Sequence, residues 1–408
     1  MKTMKNQKRI YLDYAATTPL DPRVGRAMRL YERAAFGNPS SIHAEGVRAA
    51  AALLEARRVV ALSFQSKPEE VIFTAGGTEA NNLAILGVAE ALGASRGGVQ
   101  SLHFIATAIE HGSVHEPLRA LLARGAAVTF VPVSERGVVR AEDILAAIRP
   151  TTALISVMYV NNEIGTVQPV AKVARLLRAR YGALRETIGK ESERPLFHTD
   201  ASQAPRYLTV SVERLGVDLL TIDGHKMYGP KGVGALFVRR GTPLRPLLHG
   251  GGQERGFRST TENVPAIVGL AAALRIAGVE REEEKQHLAP LRDYLIPELR
   301  RLIPGAVLNG DTDECVPGII NISIPGTDTE FIAIALDDRG IAVSTKSACR
   351  GREEGSSVVR ALSGDDARSR STLRFSLGCQ TTRKDIDVLL SVLPPLVRKS
   401  LVDSRGSL

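Results

Sequence analysis

The chain has 408 residues, 44% of them hydrophobic and 24% charged, which allows about two or three domains with a large buried core. No run of about 18 apolar residues occurs, so we expect no transmembrane helix. The basic first nine residues lead into no apolar segment, which argues against a secretory signal.

The cysteines and the net charge indicate the class of protein and its compartment. Cys315, Cys349 and Cys379 are odd in number and widely spaced, so we predict no disulfide framework, no metal site and a reducing, cytoplasmic location. The net charge of +9 is typical of a soluble enzyme with a basic surface, and an acidic protein partner or RNA is the alternative. The absence of Trp and of any nucleic-acid motif predicts no direct DNA binding.

Short apolar runs alternate with helical patterns along the chain. The runs at 71–74, 103–106, 127–131 and 153–158 predict buried strands, and the patterns at 80–86 and 142–148 predict helices. This alternation indicates an α/β fold with a mostly parallel sheet covered on both faces.

The second half contains two unusual stretches and a second group of strands. The polar segment 182–195 predicts an inserted loop or a helix extension, and the glycine-rich segment 250–256 predicts a shaped loop. A long helix is expected over 266–289 with a break at Pro290, followed by strands at 319–324 and 373–377.

One lysine and one isolated acid suggest the chemistry. Lys226 lies between His225 and an aromatic residue, with glycines on both sides, and Asp200 ends a strand-like run 26 residues earlier. Pyridoxal 5'-phosphate (PLP) needs a lysine for its Schiff base and an acid that keeps its ring nitrogen protonated. A surface lysine in a turn and a simple helix cap are the alternatives for the two residues.

Neighbouring motifs could hold the rest of such a cofactor. Thr78 lies at a predicted strand–Gly-Gly–helix junction, where free N–H groups bind phosphate, and His225 could add a contact. His111 follows a strand and could stack on the ring and move protons, although a structural loop histidine is the alternative. Gln203 could reach the phenolic oxygen of the ring.

Cys349 is the one cysteine in a reactive setting. It is followed by Arg350 and then by a polar stretch, and nearby cations with exposure lower the pKa of a thiol. Arg374 lies 25 residues later on a predicted strand, where its guanidinium could bind a substrate carboxylate.

Together, these motifs resemble the cysteine desulfurase family, PLP enzymes of fold type I in the class V aminotransferase group. The resemblance implies a large, mostly parallel-sheet, PLP-binding domain at 17–262. It implies a smaller α+β domain formed by 1–16 and 263–408, which carries the cysteine. The matching segments are 11–19, 37–41, 76–82, 110–111, 161–165, 198–203, 223–232, 250–261 and the stretch around Cys349.

The resemblance also assigns roles. Lys226 would form the Schiff base, and Asp200, Gln203, Asn162 and His111 would surround the ring. Three further residues would bind the phosphate: Gly77, Thr78 and His225. In a homodimer, Thr261 would bind the phosphate of the cofactor in the partner subunit. We expect Asn162 and Arg374 to bind the substrate.

The implied reaction converts L-cysteine to L-alanine and transfers sulfur to Cys349 as a persulfide, for delivery to a sulfur-acceptor protein. Selenocysteine lyases share the motifs at 250–255 and 261–263, so a selenocysteine lyase is the alternative. An ordinary PLP aminotransferase or a scaffold that has lost catalysis are further alternatives. Asp223 stands where the family commonly has a serine that binds the phosphate, and Cys379 stands where many members have arginine.

Overall fold

The computed structural model describes residues 9–188, 194–345 and 355–405. Its strands form where short apolar runs lie between turn residues. They are β1 (Ile10–Tyr11), β2 (Val71–Thr74), β3 (His103–Thr107), β4 (Ala127–Val131), β5 (Thr152–Ser156), β6 (Leu196–Asp200), β7 (Leu219–Asp223), β8 (Gly234–Val238), β9 (Val307–Asn309), β10 (Ile319–Ser323), β11 (Ile341–Ala342) and β12 (Thr372–Ser376).

Helices connect these strands. They are α1 (Pro22–Arg33), α2 (Ala44–Phe64), α3 (Gly77–Ser95), α4 (Gly112–Ala123), α5 (Ala141–Ala146), α6 (Val170–Ile188), α7 (Val212–Leu215), α8 (Val264–Leu302), α9 (Thr329–Asp337), α10 (Ser357–Ser363), α11 (Asp366–Arg370) and α12 (Arg383–Arg405). None of the helices in the described part of the chain is both long and apolar enough to cross a bilayer.

Seven strands form the central sheet in the order β2-β8-β7-β6-β5-β3-β4. The pairs among β3 to β7 are parallel, and β8 is antiparallel to both of its neighbours. A second, antiparallel sheet has the order β12-β10-β9, and β1 pairs with β11. The predicted α/β fold with a mostly parallel sheet is confirmed. The division into a large domain at 17–262 and a small domain at 1–16 and 263–408 stays a prediction.

Alternate side chains of the central strands enter two separate cores. Phe104 and Leu154 pack with helices α3 and α4 on one face of the sheet. Their neighbours Ile105 and Ile155 pack with α2, α6 and α8 on the other face. Because successive side chains of a strand point to opposite faces, both faces must be covered, which explains the continuous apolar runs in the sequence.

The predicted break at Pro290 is wrong. Helix α8 continues through Pro290 and Pro297 to Leu302. The buried residues Leu288, Leu291, Leu295 and Leu299 form one apolar stripe that runs across the position of the proline, and its packing offsets the lost backbone hydrogen bond. The polar segment that begins at 182 extends α6 as far as Ile188, and residues 189–193 lie outside the described chain.

Candidate active site

The functional side chains lie where the central strands end. β6 ends at Asp200, and β7 ends at Asp223, directly before the single turn Gly224–Lys226. β2 leads into the start of α3 at Gly77. In α/β sheets the carboxyl ends of the strands form one edge, and ligands bind there.

A cleft at this edge, which encloses about 690 Å³ including space open to solvent, contains most of the predicted site residues. Thr261 does not line the cleft and is exposed, and Cys349 lies outside the described residues. The predicted residues that do line the cleft are Gly77, Thr78, His111, Asn162, Asp200, Gln203, His225, Lys226 and Arg374.

The Lys226 amine is held at the wall of the cleft by backbone oxygens. Nζ donates to the carbonyls of Ala15 and Ala16 at 2.8 and 2.7 Å. The Gln203 amide donates to the same Ala15 carbonyl at 2.9 Å. The turn after β7 thus places a lysine amine next to the predicted ring contacts.

Asp200 is buried, and its two oxygens are fixed separately. Oδ2 accepts from Asn81 Nδ2 at 2.7 Å, and Oδ1 accepts from the Ser202 N–H at 2.9 Å. Asn81 also donates to Ser113 Oγ at 2.8 Å. Sequence reasoning missed Asn81 and Ser113, since polar residues in the first turns of helices usually face solvent.

His111 caps helix α4 and joins this network. Its Nδ1 lies 2.8 Å from Ser113 Oγ and accepts from the Ser113 N–H at 3.2 Å. Because Nδ1 accepts a backbone proton, this pattern assigns the proton of the neutral ring to Nε2. A hydrogen-bonded chain therefore connects His111 with Asp200 through Ser113 and Asn81.

Two buried groups behind the cleft have shifted pKa values. Burial lowers the pKa of His198 to about 4, and the ring lies within hydrogen-bond distance of Ser156 and Thr221 hydroxyls. Burial raises the pKa of Glu110 to about 8, although Oε1 accepts two hydrogen bonds. Glu110 Oε2 has no partner among the described residues. Burial therefore favours the neutral form of both groups.

The Asp223 carboxylate accepts a hydrogen bond from a backbone N–H at the positive end of α3. Its Oδ2 accepts from the Gly77 N–H at 2.7 Å, and its Oδ1 lies 3.4 Å from His225 Nε2. Burial acts against it, but the hydrogen bonds from His225 and Gly77 hold the pKa of Asp223 below its usual range. A Cβ built at Gly77 would lie 3.1 Å from this carboxylate, so the approach is close.

Arg374 is fully buried and forms another wall of the cleft. Nη2 donates to Asp13 Oδ1 at 2.8 Å, and Nη1 donates to the Asn162 carbonyl at 2.9 Å. Its Nε has no partner within the described ranges. A guanidinium has five N–H donors, so this one keeps donors for a further anion.

These residues fit PLP in their chemistry. The cleft offers a lysine amine, a buried carboxylate fixed by two hydrogen bonds, and the start of a 19-residue helix with a threonine. Asp223 is the one poor match, because a carboxylate and a phosphate compete for the same N–H group.

Comparison with known proteins agrees with this geometry. The aminotransferase class V model matches residues 10–389. Cysteine desulfurase IscS of Dictyoglomus turgidum is 42% identical over 394 residues, which cover 96% of this chain and 95% of that protein. A NifS-like protein of known structure superposes with a TM-score of 0.87 at 35% identity, over 96% of this chain and all of that one. SspA, solved in complex with cysteine, gives a TM-score of 0.76 at 31% identity, over 92% of this chain and all of that one.

The chain therefore belongs to the class V aminotransferase family and, within it, to the cysteine desulfurases. The family predicted from the sequence motifs is confirmed.

Proposed function

We propose that this protein is a PLP-dependent cysteine desulfurase, which converts L-cysteine to L-alanine and takes the sulfur onto Cys349. The observation that carries this proposal is the convergence of Lys226, Asp200, His111 and Arg374 on one cleft. A relative named cysteine desulfurase and a related structure solved with cysteine support the same substrate.

PLP, when bound, supplies an aldehyde for the lysine amine and a ring that withdraws electrons from the substrate α-carbon. Lys226 would provide the amine and, once displaced by the substrate, would act as the base at that carbon. Asp200 would keep the ring nitrogen protonated, and Asn81 holds Asp200 in place. Thr78 and the start of α3 would bind the phosphate.

Arg374 would bind the carboxylate of the amino-acid substrate. It is the buried cation of the cleft that retains an unpartnered donor within the described residues, and Asp13 and the Asn162 carbonyl fix its orientation. A planar guanidinium can donate two parallel hydrogen bonds to a carboxylate. With its carboxylate bound by Arg374, the substrate would direct its α-amino group towards Lys226.

The described residues on both sides of Cys349 are bonded to residues that line the cleft or lie next to it. Before it, Ser344 exchanges two backbone hydrogen bonds with Arg374. After it, Ser356 donates its hydroxyl to the buried carboxylate of Glu163, the neighbour of Asn162. The chain between Thr345 and Cys349 can span about 14 Å at most. These anchors support a thiol that reaches the substrate.

The proposed sulfur transfer needs no external oxidant or reductant. The Cys349 thiolate attacks the sulfur of the substrate, the C–S bond breaks, and its electron pair stays with the carbon fragment. That fragment takes up protons and leaves as L-alanine, and the enzyme keeps a persulfide. His111, whose ring proton is assigned to Nε2, would carry a proton to or from the thiol.

Association with other proteins is part of the proposal. We infer a homodimer, because apolar side chains before and within α2 are exposed: Phe36 (70%), Ile42 (98%) and Val47 (58%). Exposed Thr261 would then reach the phosphate of the other subunit. The persulfide would pass to a sulfur-acceptor protein, and the reducing conditions that a thiolate needs are those of the cytoplasm.

The test is to incubate the holoenzyme with L-cysteine and, separately, with L-selenocysteine, each with dithiothreitol to reduce the persulfide, and to measure alanine and released sulfide or selenide. We expect alanine from cysteine without any added keto acid, and loss of this activity in Cys349→Ala with PLP still bound. Selenide release that persists in Cys349→Ala would favour a selenocysteine lyase. Alanine production that depends on a keto acid would indicate an aminotransferase.

A further inference from the structure

A second polar cluster lies behind the Lys226 turn and outside the cleft. It consists of Arg206, Tyr228 and Glu284, and we call it the Arg206–Tyr228–Glu284 cluster. The side chains of Arg206 and Glu284 are 3% and 10% exposed, so the ion pair between them is buried. Buried charges of this kind need full hydrogen bonding to be tolerated.

The Tyr228 hydroxyl uses all of its hydrogen-bonding capacity in this cluster. It donates to Glu284 Oε1 at 2.6 Å, and it accepts from Arg206 Nη2 at 2.8 Å and from the Cys379 N–H at 2.9 Å. A phenol has one proton and two lone pairs, so no donor or acceptor is left. Burial and the nearby Glu284 carboxylate raise the pKa of Tyr228, so it stays a donor.

Arg206 is fixed by rings as well as by charge. Its guanidinium carbon lies 5.7, 4.9 and 4.8 Å from the ring centres of Tyr14, Tyr207 and Tyr228. The same guanidinium donates to the Leu377 carbonyl at 3.3 Å. Arg206 therefore contacts both the Lys226 turn and the chain that follows β12.

Tyr228 links the two walls of the cleft. It lies two residues after Lys226 in a left-handed conformation (φ 61°), which a residue with a side chain keeps only when its contacts hold it there. Its hydroxyl bonds the backbone of Cys379, five residues after Arg374. One phenol thus connects the Lys226 turn with the segment that directly follows the strand carrying Arg374.

We propose that Tyr228, held by Arg206 and Glu284, is a positioning residue that sets the separation between Lys226 and Arg374. This separation decides whether one amino acid can reach the lysine-bound cofactor and the guanidinium together. The inference rests on the proposed function, because it takes Lys226 as the PLP lysine and Arg374 as the carboxylate site.

Tyr228→Phe is the appropriate variant. A phenylalanine ring keeps the stacking against Arg206 and the edge contact with Tyr14, whose ring centre is 6.2 Å away. Only the hydroxyl is lost, and the Arg206–Glu284 ion pair remains. Because Cys379 is exposed, its N–H can then bond water. We therefore expect the variant to change the placement of the two segments more than the stability of the protein.

The experiment compares L-alanine with L-alaninamide, which lacks the carboxylate, as ligands of the holoenzyme. Binding of each is followed by the absorbance of the lysine-bound cofactor. In Tyr228→Phe we expect the Kd for L-alanine and the KM for L-cysteine to rise about tenfold, as for the loss of one buried hydrogen bond. We expect the Kd for L-alaninamide and kcat to stay within about twofold.

Control variants distinguish a failure of the positioning role from a failure of the proposed function. Tyr294→Phe removes a phenol–carboxylate hydrogen bond to Asp387 outside the cleft and should change neither Kd. Glu284→Gln keeps the side-chain shape and should act in the same direction as Tyr228→Phe, which covers the case that Tyr228→Phe does not fold. Equal weakening of both ligands, or no change for L-alanine, would overturn the inference. A wild-type protein without the PLP absorbance, or with no preference for L-alanine, would instead refute the proposed function.

Discussion

Asp223→Ser should tighten the binding of PLP. In the structure the Asp223 carboxylate takes the Gly77 N–H at the start of α3, which is the kind of donor that binds phosphate. Because its pKa is held below the usual range, the carboxylate is charged at neutral pH. Serine removes the charge and leaves a hydroxyl that can donate to phosphate.

The size of the effect follows from two costs of keeping the carboxylate. A phosphate oxygen about 4 Å away is repelled by about 1 kcal/mol in water and by about 4 kcal/mol at an effective dielectric constant of about 20. If Asp223 turns away instead, it loses a hydrogen bond worth about 1–3 kcal/mol. The adjoining groove is open to solvent. We therefore expect a gain of about 1.4–2.8 kcal/mol, or about ten- to hundredfold in Kd.

The assay is a titration of apoprotein with PLP, followed by the absorbance of the lysine-bound form. Pyridoxal without the phosphate should bind the variant no more tightly than the wild type. Asp223→Asn tests the charge alone, and Asp338→Ser removes an exposed carboxylate at the end of α9 as the matched control. An unchanged or weaker affinity of Asp223→Ser for PLP would refute the reasoning.

Two further predictions concern stability. Burial raises the pKa of Glu110 from 4.5 to about 8, so its carboxyl group loses the proton at lower pH in the unfolded chain than in the folded protein. The contribution of Glu110 to stability therefore falls as pH rises from about 5 to about 8. Glu110→Gln lacks this titrating group, so its unfolding free energy should rise relative to that of the wild type over this pH interval, by about 5 kcal/mol at most. The two free energies are measured by urea unfolding at each pH, and a difference that does not change with pH would contradict the assignment. Arg57→Ala leaves the Glu254 carboxylate buried without its bidentate partner and should cost about 3–5 kcal/mol. Loss of the exposed Glu116–Arg119 pair should cost less than about 1 kcal/mol, and equal thermal shifts for the two changes would show that the buried pair has no special role.

Local patterns predicted most of the sheet and the edge on which the site lies. The sequence predicts strands β2 and β4 with their observed ends, since an apolar run between turn residues has few other structures available, but β4 is an edge strand and only partly buried. Lys226, Asp200 and Thr78 are site candidates because each follows or ends a predicted strand, and the structure brings all three to one cleft at the edge where parallel strands end.

The missed features depend on contacts between distant residues. Glu284 meets Arg206 across 78 positions of sequence, and no local pattern distinguishes it from the other charged residues of α8. The passage of α8 through Pro290 depends on packing of its apolar stripe, which outweighs the local preference of proline. Asn81 resembles any polar residue of a helix until the fold brings it to Asp200.

The measurement that tests the central claim most directly is reduction of the PLP-treated protein with borohydride, followed by peptide mapping. Reduction makes the bond between PLP and its lysine permanent, so mass spectrometry identifies the residue. We predict that the modified peptide contains Lys226 and that prior addition of L-cysteine protects it. Modification at another lysine, or none at all, would contradict the account.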